Sequence, residues 1–260
     1  MLILFCFKFL FMNLENKVAV ITGASAGLGK EIAKRLAAEK VKLILPVRNE
    51  EGLEKVKKAC LANEGAPDVQ TFICDLSNVE EVENEINKIK SRVDIVINCA
   101  GVYKENKLTE GIADSEKEDM DAVNYEAPKK IIELLLLKLK EQDEASIVNI
   151  LSRAALSKEE LEAAGWFKDP KAPSFYSESK RELKEHTKKL KKELEGTGVQ
   201  VSGVYPGGIK TDFHKKEGVE KDMENYIDPK VLAEVIVKEL SSSNKLRDIL
   251  MLDPDFLRFV

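Results

Sequence analysis

Seven short runs rich in valine and isoleucine mark the chain from Lys17 onward: KVAVITG, VKLILPV, VQTFICD, VDIVINCA, ASIVNILS, VQVSGVYPG and DILML. Each is almost continuously apolar, as parallel strands are when helices cover both faces of their sheet. Between them the apolar period lengthens to that of helices, over residues 27–40, 50–63, 79–90, 118–141, 176–195 and 229–241. Strand and helix in strict alternation leave few options. The expectation is an α/β fold with a doubly wound parallel sheet of about seven strands, helices on both faces and right-handed crossovers. No repeat, low-complexity tract or Pro/Gly-rich linker divides residues 13–260, so they read as a single domain.

The first twelve residues, MLILFCFKFLFM, do not share this pattern. They are too short to span a bilayer, which takes about 20 apolar residues, and lack the basic start and cleavage site of a signal peptide. Met12 opens a stretch that reads as a natural beginning. A non-native or mobile extension is the favoured reading. A weak membrane tether and packing on the body stay open.

A net charge of −5 gives no overall attraction to nucleic acid or to an anionic membrane. Four cysteines without a C-x-x-C pair, and two histidines, suggest neither a metal site nor a disulfide framework. A reducing, cytoplasmic setting without stable membrane insertion is expected.

In open α/β sheets ligands bind at the carboxyl ends of the strands, so the residues that follow each strand are the candidate site. TGASAGLGK, Thr22 to Lys30, follows the first strand and opens the first helix. Glycines there allow a tight turn and close backbone approach, and the helix start offers free N–H groups to a pyrophosphate. A purely structural glycine turn is the alternative. The second strand ends LILPVRNEE, with Arg48 and no acid where a ribose 2′-hydroxyl would be bound. A guanidinium suits a 2′-phosphate, so NADP is expected before NAD. The alternative is a weak surface pair of Arg48 with Glu50 or Glu51.

SFYSESK, Ser174 to Lys180, sets Tyr176 and Lys180 four residues apart on one helical face. An ammonium near a phenol favours the phenolate and would lower the tyrosine pKa toward a useful range. Taken alone, such a pair is a common coincidence.

TGASAGLG, CDL, NCAG, VNY, NILS, YSESK and YPGGIKT occur together, in order, between Lys17 and Thr211. This set resembles the short-chain dehydrogenase/reductase family, in its compact dehydrogenase branch, and implies a Rossmann-type fold. The resemblance implies that Tyr176 is the general acid/base toward a carbonyl or secondary alcohol. Lys180 would lower its pKa and hold the nicotinamide ribose. Ser152 would hydrogen-bond the carbonyl oxygen, and Asn124 would hold a water linking Lys180 to solvent. Gly23, Ser25, Gly27, Leu28 and Gly29 would line the cofactor phosphates. Asp75 and the Leu76 backbone would meet the adenine, with Asn98 and Gly101 flanking its ribose. Beyond Pro206 and Gly207, the Ile209 backbone and Thr211 hydroxyl would hold the carboxamide.

The segment between Ser152 and Tyr176 is longer than in many members, as in carbonyl-reductase-like and retinol-dehydrogenase-like ones. Its Trp166, Phe167 and Phe175 suggest one wall of a pocket for an apolar carbonyl or alcohol, or else a surface excursion with its own small core. DFHKKEGVEKDMENYI, after Thr211, reads as a lid, and His214 in it as a solvated loop residue. With one apolar stripe on the Tyr176 helix, a monomer is expected before a homodimer. Function divides between an NADP-dependent oxidoreductase and a non-catalytic NADP(H)-binding sensor. A sensor should have lost some of Asn124, Ser152, Tyr176 and Lys180, and the chain keeps them all.

Overall fold

All seven apolar runs form strands in a computed structural model, which describes residues 13–61, 68–104, 113–168, 174–211, 223–242 and 245–260. The extension 1–12, and residues 212–222 of the expected lid with His214, lie outside the described residues. The strands are β1 (Val18–Ile21), β2 (Lys42–Val47), β3 (Val69–Ile73), β4 (Ile95–Asn98), β5 (Ala145–Ile150), β6 (Val199–Pro206) and β7 (Ile249–Asp253). An eighth strand, β8 (Phe256–Phe259), turns back antiparallel on β7. The order β3-β2-β1-β4-β5-β6-β7-β8 reverses direction between β1 and β4, and every pair up to β7 is parallel.

Alternation along β1 shows why the runs are apolar throughout. Ala19 and Ile21 join a core on one sheet face, while Val18 and Val20 join the core on the other. The first face is covered by α1 (Gly27–Ala38), α2 (Glu50–Cys60) and α8 (Pro229–Leu240). In α1, Ile32, Ala33, Leu36 and Ala37 repeat at helical spacing and are buried. The second face carries α3 (Val79–Ile86), α5 (Ala127–Lys140) and α7 (Phe175–Glu193). Helix starts follow the sequence chemistry: Asn49, Asn78 and Asp228 each accept a hydrogen bond from a first-turn N–H.

The helix expected over 118–141 runs without a gap from Asp114 to Lys140, but its regular winding is interrupted. It consists of α4 (Asp114–Asp121), a π turn (Ala122–Glu126) and then α5. Pro128 explains the interruption. A proline cannot donate to the carbonyl four residues back, here Asn124, and its ring crowds that carbonyl. Widening the turn relieves both problems, and Ala127 N–H bonds the carbonyl of Ala122 instead.

A third, smaller core lies under the segment that follows Ser152. Trp166, beyond α6 (Lys158–Ala163), is buried with Leu151, Leu156, Leu161, Leu183, Tyr205, Leu250 and Leu252. Its ring meets Phe256 of β8 edge to face, with centroids 5.1 Å apart. Phe167 points away and is 83% exposed. Trp166 is therefore part of a small core, while residues 169–173 of the segment lie outside the described residues. Among the described residues no helix is long and apolar enough to cross a membrane.

Candidate active site

The first turn of α7 is fixed by a reciprocal cap. Ser174 Oγ accepts from Ser177 N–H at 3.2 Å, and Ser177 Oγ accepts from Ser174 N–H at 2.8 Å. Tyr176 thereby occupies the helix start beside the end of β5. Ser152, extended at φ −164 and ψ 152, stands two residues beyond β5. Its Oγ accepts from Ala154 N–H at 3.1 Å and is hydrogen-bonded to the Tyr176 phenol. With the Ala154 N–H as donor to Oγ, the serine proton is free to point at the phenol oxygen or at a ligand.

Lys180 comes from the next turn of α7 and is 4% exposed. Its Nζ donates to the Ile150 carbonyl at 3.0 Å, tying helix to strand. Burial pushes its pKa down to about 8, with Cys99 acting weakly the other way. Tyr176 moves in the opposite direction. Burial pushes its pKa up to about 12, the Ser152 hydrogen bond opposes this, and Tyr103 adds to it. The lowering expected from Lys180 is therefore not what the structure gives. Desolvation of the phenolate outweighs any help from an ammonium that is committed to a backbone carbonyl.

Tyr103 went unnoticed in the sequence. Its ring meets Tyr176 edge to face at 5.1 Å and 77°. The only sequence signal is its place two residues after NCAG, on the loop that follows β4.

Asn124 sits in the π turn and is fully buried. Its amide accepts from Val102 N–H and donates to the Val102 carbonyl, both at 3.0 Å, and donates to Ser179 Oγ at 3.1 Å. Ser179 Oγ in turn donates to the Tyr176 carbonyl at 3.0 Å. Both amide protons are used, which leaves only a second lone pair on Oδ1 for the expected water. Asn124 thus ties the β4 loop to the helix that carries Tyr176.

The glycine turn lies beyond β1. A Cβ on Gly23, at φ +71, would stand 2.8 Å from the Ala100 backbone, and one on Gly29 would stand 2.4 Å from the Gly23 carbonyl. Only glycine lets these strands of backbone meet. Gly27 faces Thr211, with a virtual Cβ 3.1 Å from Cγ2, so the glycine turn touches the loop after β6. Thr22 Oγ1 accepts from Cys99 and Ala100 N–H groups at 3.0 and 3.1 Å, fixing the β4 loop beside it. Ala26 at the start of α1 provides no side-chain cap and the first turn holds no acid, so its N–H groups are left for an anion. The Leu28 side chain is in the core, so only its backbone can face a ligand.

Ser25 and Arg48 share a pocket of about 130 Å³ with Ala26, Asn49, Glu51, Gly52 and Lys55. Arg48 forms no ion pair with Glu50 or Glu51, and Glu51 pairs with Lys55 at 2.5 Å. Lys55 was not anticipated; its signal is a lysine about one turn into the helix that follows Arg48.

Asp75 closes a turn after β3, its Oδ1 accepting from Ser77 N–H and Oγ at 3.0 and 2.9 Å, with Leu76 half-buried beside it. Gly101 follows the β4 loop next to the Val102 backbone that Asn124 holds. Pro206 ends β6, and a Cβ on Gly207 would lie 2.0 Å from the Leu252 carbonyl. Ile209 pairs with Ile227 in an isolated bridge, and Thr211 N–H bonds the Ile209 carbonyl at 2.8 Å. Asn98 departs from expectation. Its Nδ2 donates to Asn149 Oδ1 within the sheet at 2.9 Å, so its side chain faces a neighbouring strand rather than a ribose. The alternation of β4 leaves no other place for it once Thr22 holds Cys99 and Ala100.

The profile of the family described as short chain dehydrogenase matches residues 17–222. The chain belongs to that family. An uncharacterized oxidoreductase of Staphylococcus saprophyticus is 33% identical over 232 residues, covering 88% of this chain and 93% of the relative. One from Staphylococcus aureus strain MW2 is 32% identical over 233 residues, covering 88% and 92%. Among solved structures, an alcohol dehydrogenase from the archaeon Thermococcus sibiricus complexed with 5-hydroxy-NADP has the same fold. Its TM-score is 0.78 at 24% identity, over 94% of this chain and 99% of that one. A metagenomic short-chain oxidoreductase in complex with NADP gives a TM-score of 0.73 at 25% identity, over 92% and 97%. The sheet order and the turn after β1 are accordingly those of a short-chain dehydrogenase.

Proposed function

We propose that the protein is an NADP-dependent oxidoreductase acting on a carbonyl/secondary-alcohol pair, with Tyr176 as general acid/base. The observation that carries this reading is the convergence of Ser152, Tyr176 and Lys180 at the end of β5, across from a glycine turn that admits no side chain. The residues present fit a dinucleotide. Gly23, Gly29 and the uncapped start of α1 suit the pyrophosphate, and Arg48 with Ser25 and Lys55 suits a 2′-phosphate. Asp75 keeps one carboxylate oxygen for an adenine amino group. When bound, the nicotinamide supplies or accepts a hydride.

The chain's own groups handle the proton. Ser152 Oγ donates to the carbonyl oxygen and stabilises the charge that builds there. Tyr176, a neutral phenol at pH 7, hands its proton to that oxygen in reduction. Lys180 has three N–H donors and spends one on Ile150, leaving two for ribose hydroxyls. NADP-bound relatives of the same fold support the cofactor assignment.

The test is a panel of ketones, aldehydes and quinones followed by NADPH absorbance. Reduction of one or more supports the reading. Tight NADPH binding with no turnover on any of them would replace it by the non-catalytic sensor.

A further inference from the structure

Arg153 stands directly after Ser152 and makes no ion pair with the described residues. A guanidinium carries five N–H donors. Among the described residues Arg153 places one of them, at a long 3.5 Å, on the Leu252 carbonyl. Its other contact is the Trp166 ring face, 5.5 Å from the centroid. No carboxylate lies within ion-pair distance of it among the described residues, and Asp253, which acts on it from farther away, is paired with Lys168 at 3.3 Å. The side chain is half-buried, and burial holds its pKa below the ordinary arginine value. A partly buried cation normally has a partner, because an unmatched one is costly to desolvate.

Its position says what the partner is for. Arg153 starts at the end of β5 and reaches the end of β7, crossing β6, a span of two strand spacings or roughly 10 Å. The carbonyl it touches is the one that Gly207 packs against. The next residue, Gly208, lies under the Tyr226 ring, where a Cβ would approach to 2.7 Å. The guanidinium therefore borders the loop assigned to the carboxamide, on a residue next in sequence to Ser152.

We infer that Arg153 is a specificity-determining residue that binds a carboxylate on the substrate, making the substrate class oxo acids and their hydroxy-acid counterparts. The acid group would lie several bonds from the reacting carbon. A carboxylate fits better than a phosphate. It matches the planar fork and needs one cation, whereas a dianion would be opposed by Asp253. This inference rests on the hydride-transfer reading of the same site.

The experiment compares 3- and 4-formylbenzoate with their methyl esters as NADPH-dependent substrates of the native protein, Arg153→Met and Arg153→Lys. The native enzyme should favour acid over ester in kcat/KM by about 10-fold or more, mostly through KM, as a charge-assisted pair implies. Arg153→Met should bring the ratio close to one. Arg153→Lys, which keeps the cation over Trp166, should fall between and serves if the methionine variant does not fold. Equal use of acid and ester by the native protein, or an unchanged ratio in both variants, overturns the inference while hydride transfer stands. If none of the four compounds is reduced, the hydride-transfer reading is left to the wider carbonyl panel. Arg153 is then judged by saturation-transfer NMR of 4-formylbenzoate on the NADP-loaded protein. A signal lost in Arg153→Met or Arg153→Lys supports it, and one retained in the variants or absent from the native protein overturns it.

Discussion

At Tyr176 burial wins over the Ser152 hydrogen bond, and this sets a direction for the chemistry. With its pKa pushed up to about 12 the phenol holds its proton throughout the neutral range, ready to give rather than to take. Lys180, pushed down to about 8, is an ammonium below that pH and an amine above it. Reductive kcat/KM should hence stay level from about pH 6 to 7.5 and decline above about 8, which a buffered rate profile will show. Tyr176→Phe removes only the transferable proton. Turnover should drop by about 10²–10⁴-fold while NADPH affinity, read by fluorescence titration, stays close to native. Arg48→Ala should erase most of the preference for NADPH over NADH, measured as the ratio of their dissociation constants, because among the described residues its guanidinium pairs with no carboxylate. The residue types at these positions were legible in the sequence, since their chemistry is unusual at strand ends. Their environments were not. Nothing in YSESK tells that Lys180 spends a hydrogen bond on Ile150, or that Tyr103 will lie against Tyr176.

Helix α6 is attached to α7 by charge as well as by Trp166. Glu160 accepts from Lys184 at 2.7 Å and from Lys188 at 3.0 Å. Burial alone would raise its pKa, but the Lys184 hydrogen bond, the Ser157 backbone and Lys188 outweigh it and hold the carboxyl at about 2. A carboxyl depressed in the folded state contributes stability that is present above its unfolded pKa, about 4.5, and lost as pH falls toward 2. Urea midpoints measured from pH 6 down to 3 should fall over this window, and less steeply in Glu160→Gln. The side chain is one-third exposed, so the effect will be a fraction of the full shift. Trp166→Ala should cost about 3–5 kcal/mol by the same denaturation assay, as the centre of the small core is emptied. An apolar pocket wall was one expectation for this segment, and sequence could not separate it from a packed excursion, because both need aromatics. The π turn was more accessible. Pro128 four residues after Asn124 is a visible sign of a broken ladder, easily read as an ordinary helical proline when the surrounding period is so regular.

A single sheet from β3 to β8, cored on both faces, should unfold in one step. Any ligand held across its strand ends then stabilises all of it. NADPH at about 100 times its dissociation constant should add about 2.7 kcal/mol and raise Tm as one transition, more than NADH at the same concentration. The whole-molecule design was the most legible level, since strands buried on both sides cannot hide their apolar character. The strand that escaped, β8, has four residues, a half-exposed face and Arg258 among its aromatics, and it pairs only on one side. One thread through this sheet has a further meaning. Asn98 of β4 donates to Asn149 of β5, its register partner, and Asn149 donates to Thr187 of α7 at 2.9 Å. Apolar neighbours can slide past one another at little cost, whereas three amide and hydroxyl groups match in one alignment only. These residues act as an indexing pin between the half of the molecule built around the glycine turn and the half that carries Tyr176. A chain with the pin replaced by aliphatic residues of equal size could remain folded and yet hold its two reactive halves out of step.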